Sequence, residues 1–322
     1  MTARTRTPHV YASPEAFKQA LEQRLRAAHD AAFPRARQLL VFDRFLARIA
    51  VELGDRAMLK GGLVLERRLA RARTTKDVDL RVVGSPARVL AQLQAAGRRD
   101  LADFMAFEIR ADVDHPAIRN AGARYEGVRF RAECKLAGKL YGQPFGVDVA
   151  FGDPIAGEPD VVIADDVLAF ARIAPPALRL YPIASHVAEK LHAYTMPRPR
   201  PNSRVKDLPD LALLAMTRAL DARALRAALE QTFSFRKTHA LPAQLPAPLA
   251  VWAPPYAAMA RDDELPWRTL DAVADAARAF LNPILERNSA DADATWSPRA
   301  WRWRRRQLSS ARSRRGTGRS RP

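Results

Sequence analysis

The stretch Lys60–Leu80, KGGLVLERRLARARTTKDVDL, decides how this chain is read. Its ending, Asp77-Val78-Asp79-Leu80, alternates acidic and apolar residues, the pattern of a strand with one face of each kind. Two residues of strand rise set the aspartates roughly 7 Å apart at Cα, with both side chains on one face. Carboxylates so placed repel unless something positive sits between them. Mg²⁺, bound through one or two carboxylates plus substrate phosphates, is the natural ion. At the other end, Gly61 and Gly62 lack Cβ and let backbone N–H groups approach a ligand. About a dozen residues of helical pattern follow, and a helix start after glycines favours phosphate. A Gly-Gly pair alone usually marks a turn, and Asp-x-Asp alone ends many strands. Joined by a helix at this spacing, they predict a phosphate cradle beside a cation site.

Composition narrows the partners. A chain of 322 residues with 48% hydrophobic and 27% charged residues is ordinary for a globular protein. A net charge of +18 is not, and it points to a polyanion such as nucleic acid or nucleotide. Ten arginines and no acidic residue lie from Arg299 onward, so the body is basic but less extreme. Cys134 is the sole cysteine, which excludes an intramolecular disulfide and a cysteine-based zinc site. No run approaches the length of a membrane span and the first residues have no apolar signal core, so a reducing cytoplasm is expected.

Ser13-Pro14-Glu15 opens helical segments that run to about Leu53. Helix is expected from Ser85 to Ala96. Strands are expected over Phe104–Ala111, Val128–Leu136 and Gly146–Phe151, with a Gly152-Asp153-Pro154 turn. Pro175-Pro176 breaks the chain. Helices follow from Pro182, Val205, Asp221 and Asp271, with an irregular, proline-punctuated stretch over Phe233–Pro255. The expected class is α+β: residues 1–174 a mixed sheet with flanking helices, residues 175–296 a helical domain, and residues 297–322 a disordered arginine-rich tail.

Asp148, in Val147-Asp148-Val149, is the third carboxylate available to a cation site, or else a solvent-facing strand residue. Two metals roughly 3.5–4 Å apart would serve an in-line displacement. Lys190 lies beside the buried stripe of its helix, as a phosphate-neutralising charge or a snorkelling surface lysine. His186 and His192, six residues apart on one helix, face different sides and read as structural. In Arg204-Val205-Lys206-Asp207-Leu208-Pro209-Asp210, the two aspartates share a helix face. Asp207 either caps that helix or positions Lys190, with Arg204 and Lys206 on phosphate.

The glycine–helix–acidic-strand unit resembles the DNA polymerase β type of nucleotidyltransferase. The chain as a whole resembles the AbiEii/AbiGii-type nucleotidyltransferase toxins. The likeness rests on Lys60-Gly61-Gly62 with Leu65 and Arg67, on Arg73-Thr74-Thr75-Lys76-Asp77-Val78-Asp79, and on Val147-Asp148-Val149. It continues through Glu189-Lys190-Leu191-His192-Ala193, Arg204-Val205-Lys206-Asp207 and Phe235-Arg236-Lys237-Thr238-His239, covering about residues 10 to 287. It implies a polymerase-β-like domain followed by a helical domain, with two Mg²⁺ ions on Asp77, Asp79 and Asp148. Lys190 would be the catalytic lysine and Asp207 its acidic partner, while Gly61, Gly62, Arg73, Thr75, Arg204 and Lys206 hold the nucleotide. It further implies nucleotide transfer from an NTP, in some members onto the acceptor end of tRNA, and a cognate antitoxin. The chain departs from the family by one extra threonine and by the basic tail, which reads as an RNA-anchoring arm. Two other readings stand beside this one: an inactive transferase fold that binds nucleic acid or a partner, and transfer of nucleotide to protein hydroxyls.

Overall fold

The computed structural model describes residues 10–69, 72, 74–114, 127–152, 154–198, 204–286 and 293–305. The Ser13 hydroxyl accepts the Ala16 N–H at 3.1 Å and starts helix α1 (Pro14–His29), which buries Phe17, Leu21 and Leu25. Helix α2 (Phe33–Leu53) follows, buried without a break from Leu40 to Ile49. Then come β1 (Ala57–Lys60), α3 (Gly62–Arg68), β2 (Val78–Val82), α4 (Pro86–Gly97), β3 (Met105–Ala111), β4 (Gly127–Leu136), β5 (Lys139–Leu140), β6 (Phe145–Ala150), β7 (Asp160–Ile163) and β8 (Ala177–Leu180). They form one mixed sheet of order β3-β4-β6-β2-β1-β8-β7, with β5 on β4. The β2–β6 and β1–β8 pairs are parallel and the others antiparallel.

Strand periodicity splits this sheet into two chemistries. Val78, Leu80, Val147 and Val149 point into a core shared with α1, α2 and α4, where Phe42 and Phe45 meet the Phe145 ring at centroid distances of 5.1 and 5.4 Å. The residues between them, Asp79 and Asp148, point the other way. The sequence expectation of a dozen-residue helix after the glycines is corrected here. Helix α3 has seven residues and ends at Leu69, whose backbone is extended. Arg67 is spent pinning that short helix to α2, on Asp43 at 2.7 Å and the Leu39 carbonyl at 3.1 Å.

The remaining elements are α5 (Ile183–Thr195), α6 (Asp207–Thr217), β9 (Leu220–Asp221), α7 (Ala222–Arg236), α8 (Ala253–Asp262), α9 (Leu270–Leu285), β10 (Ala294–Ser297) and β11 (Arg302–Arg305). They build a second hydrophobic cluster that draws in Leu65 from α3. Helix α8 falls partly within the stretch expected to be irregular. Its Pro254 and Pro255 sit in the first turn, where a missing N–H breaks no helical bond. The expectation of disorder from Ser297 is also corrected. β10 pairs with β11, and the indoles of Trp296, Trp301 and Trp303 donate to the carbonyls of Ala215, Ala276 and Phe280 at 2.8, 3.2 and 2.8 Å. Arginine-rich composition masks a strand in which Trp303 stands between arginines. Residues 306–322 lie outside the described residues, as does Asp153.

One buried ion cluster braces the sheet end. Arg48 donates to Asp103 at 2.6 and 2.9 Å, and Arg44 donates to the same carboxylate at 2.6 Å. Burial alone would raise the Asp103 carboxyl, but the two guanidinium groups hold it below the usual range. Asp103→Ala strands Arg48, which is wholly buried, and should cost about 3–5 kcal/mol by urea denaturation.

Candidate active site

Strand register assembles a row of charges across the acidic face. Arg129 on β4 is opposite Asp148 on β6, Asp148 is level with Asp79 on β2, and Asp79 is opposite Lys60 on β1. The order is plus, minus, minus, plus. Arg129 grips Asp148 through Nε and Nη2, both at 2.6 Å. Loss of hydration and the neighbouring Asp148 charge push the Asp79 carboxyl up to about 6, against the pull of Lys60 and Lys190. Asp77 precedes β2 rather than lying in it, and its Oδ1 accepts the Gly146 N–H of β6 at 3.2 Å.

Gly61 makes room for this arrangement. A Cβ there would fall 1.9 Å from Asp79 Oδ2, and the backbone φ is +70°. The glycine is therefore demanded by a side chain of the protein itself, and the carboxylate lies in the hollow that the missing Cβ leaves. Gly61→Ala combines a left-handed backbone with a direct clash. It should lower the melting temperature by several degrees and remove activity, as thermal melts and a transfer assay would show.

The loop before Asp77 is tied down on both sides. Glu66 Oε1 accepts the Thr75 N–H at 2.7 Å, and Arg35 donates to the Thr75 carbonyl at 2.8 Å. The Thr75 hydroxyl donates to the Asp77 carbonyl at 3.4 Å. The N–H, carbonyl and hydroxyl of Thr75 thus hold the loop that presents Asp77. Arg73 lies outside the described residues.

The opposite wall comes from the helical half. Lys190 on α5 places Nζ 3.0 Å from Asp207 Oδ1 and 2.6 Å from Asp210 Oδ2, both carboxylates being buried. Arg204 Nη1 approaches Asp207 Oδ2 at 3.5 Å. One residue before the lysine, Glu189 takes Lys60 Nζ at 2.9 Å, the Tyr181 hydroxyl at 3.0 Å and Arg236 at 3.4 Å. Glu189 so ties the sheet to the helical wall. His186, one turn before Lys190, is buried with neither ring nitrogen hydrogen-bonded, and burial with the Lys190 charge keeps it neutral. His192 instead bonds Thr238 Oγ1 at 2.7 Å.

These walls enclose a cleft of about 630 Å³ lined by eight cationic and five acidic side chains. It brings together Gly61, Gly62, Thr75, Asp77, Asp79, Asp148, Lys190, Arg204, Lys206 and Asp207 from distant parts of the chain. Sequence reasoning gave no role to Arg129 or Arg198, and quoted Lys60, Glu189 and Arg236 only as members of matched motifs. The clean alternation of β4 put Arg129 on the polar face, but only register pairs it with Asp148.

A family model for the nucleotidyl transferase AbiEii toxin of type IV toxin–antitoxin systems matches residues 44–307. The chain belongs to the AbiEii family. This AbiEii-family protein is thus a nucleotidyltransferase of a toxin family, and that family implies an NTP substrate and an antitoxin partner. Its fold is similar to that of MenT4, a nucleotidyltransferase toxin from Mycobacterium tuberculosis. The TM-score is 0.55 at 17% identity, covering 88% of this chain and 92% of that one. A looser likeness is to JHP933 from Helicobacter pylori, with a TM-score of 0.43, 14% identity, and coverage of 79% and 94%. No curated protein sequence matches. None of the described helices is long and apolar enough to cross a membrane.

Proposed function

We propose that this protein moves a nucleoside monophosphate from an NTP to RNA, with the 3′ end of tRNA as acceptor, and needs Mg²⁺ to do so. The observation that carries the reading is the in-register pair Asp79 and Asp148, with Asp79 seated at Gly61 and Lys190 lining the same cleft. The acceptor hydroxyl gives its proton to a cleft carboxylate, its oxygen bonds to the α-phosphorus, the bond from that phosphorus to the α–β bridging oxygen breaks, and pyrophosphate leaves.

Among the described residues no group of three or more acidic, histidine or cysteine side chains stands ready-made around a metal. The donor set nevertheless fits a hard cation. Asp77 and Asp79 supply oxygens from one edge of the cleft, and the hollow at Gly61 keeps Asp79 in place. Arg129 takes one lone pair on each Asp148 oxygen, and a carboxylate has further acceptor positions. Two Mg²⁺ ions on these carboxylates would activate the attacking hydroxyl and neutralise the leaving pyrophosphate. Lys190, held by Asp207 and Asp210, places its charge where phosphate charge builds. The excess of cations in the cleft and the net charge of +18 favour a polyanionic acceptor.

The test is incubation of the full-length protein with each α-labelled NTP, total RNA and Mg²⁺. Label entering RNA, lost with chelator and in Asp79→Ala, is expected. Label in a protein band would redirect the reading to protein hydroxyls. Salt-sensitive RNA binding with no incorporation would make the chain an inactive relative.

A further inference from the structure

Arg198, just beyond α5, lines the helical wall of the cleft. Its Nε and Nη2 are shielded from water and have no acceptor. Burial and the nearby Arg204 charge both work against its guanidinium, and Asp207 offsets them only in part. Asp207 already receives Lys190 on one oxygen and Arg204 on the other. A planar fork with idle donors thus stands beside a second guanidinium, in a cleft with three more cations than anions. Such a group is completed by an anion that accepts two parallel N–H bonds, as phosphate does. The glycine end offers no rival. Helix α3 has only seven residues, and the hollow at Gly61 is filled by Asp79.

We propose that Arg198 and Arg204 bound a phosphate subsite on the helical wall of the cleft, away from the carboxylate row. This rests on the transferase reading above, and the phosphate belongs either to the NTP tail or to the acceptor RNA. Its first test needs no transfer activity, so an inactive enzyme leaves it decidable. Inorganic pyrophosphate is titrated calorimetrically into the metal-free full-length protein, wild type and variants, at low salt. Arg198→Ala should weaken binding about tenfold or more, and Arg198→Lys less, because the charge survives while the fork is lost. Arg261→Ala, an exposed arginine beside Asp262, controls for net charge and should leave affinity unchanged. Thermal melts show that each variant folds.

Transfer kinetics then separate the sources. An NTP KM raised about tenfold in Arg198→Ala, with the RNA KM unmoved, assigns the subsite to the triphosphate. The reverse assigns it to an acceptor phosphate. Pyrophosphate affinity within twofold of wild type in Arg198→Ala, or an equal loss in Arg261→Ala, would overturn the subsite. So would a loss of pyrophosphate binding with both KM values unchanged.

Discussion

Asp79→Asn is expected to slow nucleotide transfer by on the order of 10³-fold or more while making the metal-free protein more stable. The two effects share one cause. Asp79 lies in the cleft beside Asp148, and its carboxyl is pushed from 3.8 to about 6. Because the folded state takes up a proton before the unfolded state does, this group destabilises the fold as pH rises from about 4 through 6. Asparagine keeps the shape and removes that penalty, for a gain of ~3 kcal/mol at neutral pH. Melting curves across pH 4–8 should show the wild type losing stability relative to the variant over that window. Mg²⁺ should raise the wild-type melting temperature and leave Asp79→Asn nearly unmoved. A variant that is inactive and also unstable at pH 7 would mean that Asp79 is structural.

Lys190→Met should have the opposite effect on stability and the same effect on rate. Lys190 Nζ is shared by Asp207 and Asp210, whose side chains are 1% and 0% exposed. Removing the cation leaves two buried carboxylates against each other and should cost about 3–5 kcal/mol, roughly a six-degree fall in melting temperature. Adding Asp210→Asn should restore part of that stability, because the two positions share one interaction, and should restore no activity. Recovery of transfer in the double variant would show that Lys190 serves only to hold the fold.

Periodicity explains what the sequence made legible. Asp79 and Asp148 each stand between buried valine or leucine neighbours, so the strand pattern placed both on the polar face before any pairing was known. The spacing of Asp207 and Asp210 put them on one face of a helix, where Lys190 now reaches both. Register was not legible. Nothing local says that Arg129 sits opposite Asp148, or that Lys60 sits opposite Asp79 with its charge turned to Glu189. The glycines were legible as a close approach but not as an approach of Asp79 itself. Arg198 sits among prolines in a loop with no period to read. The hairpin of β10 and β11 was hidden because arginines on one face obscured the tryptophans on the other.

Anomalous diffraction from crystals grown with Mn²⁺ and a non-hydrolysable NTP analogue tests the central claim most directly. Metal peaks shared between Asp79 and Asp148, with Asp77 contributing and Lys190 on the phosphate side, are the predicted result. Manganese bound only to the triphosphate, with Asp148 still closed on Arg129 and Asp79 uncoordinated, would contradict it.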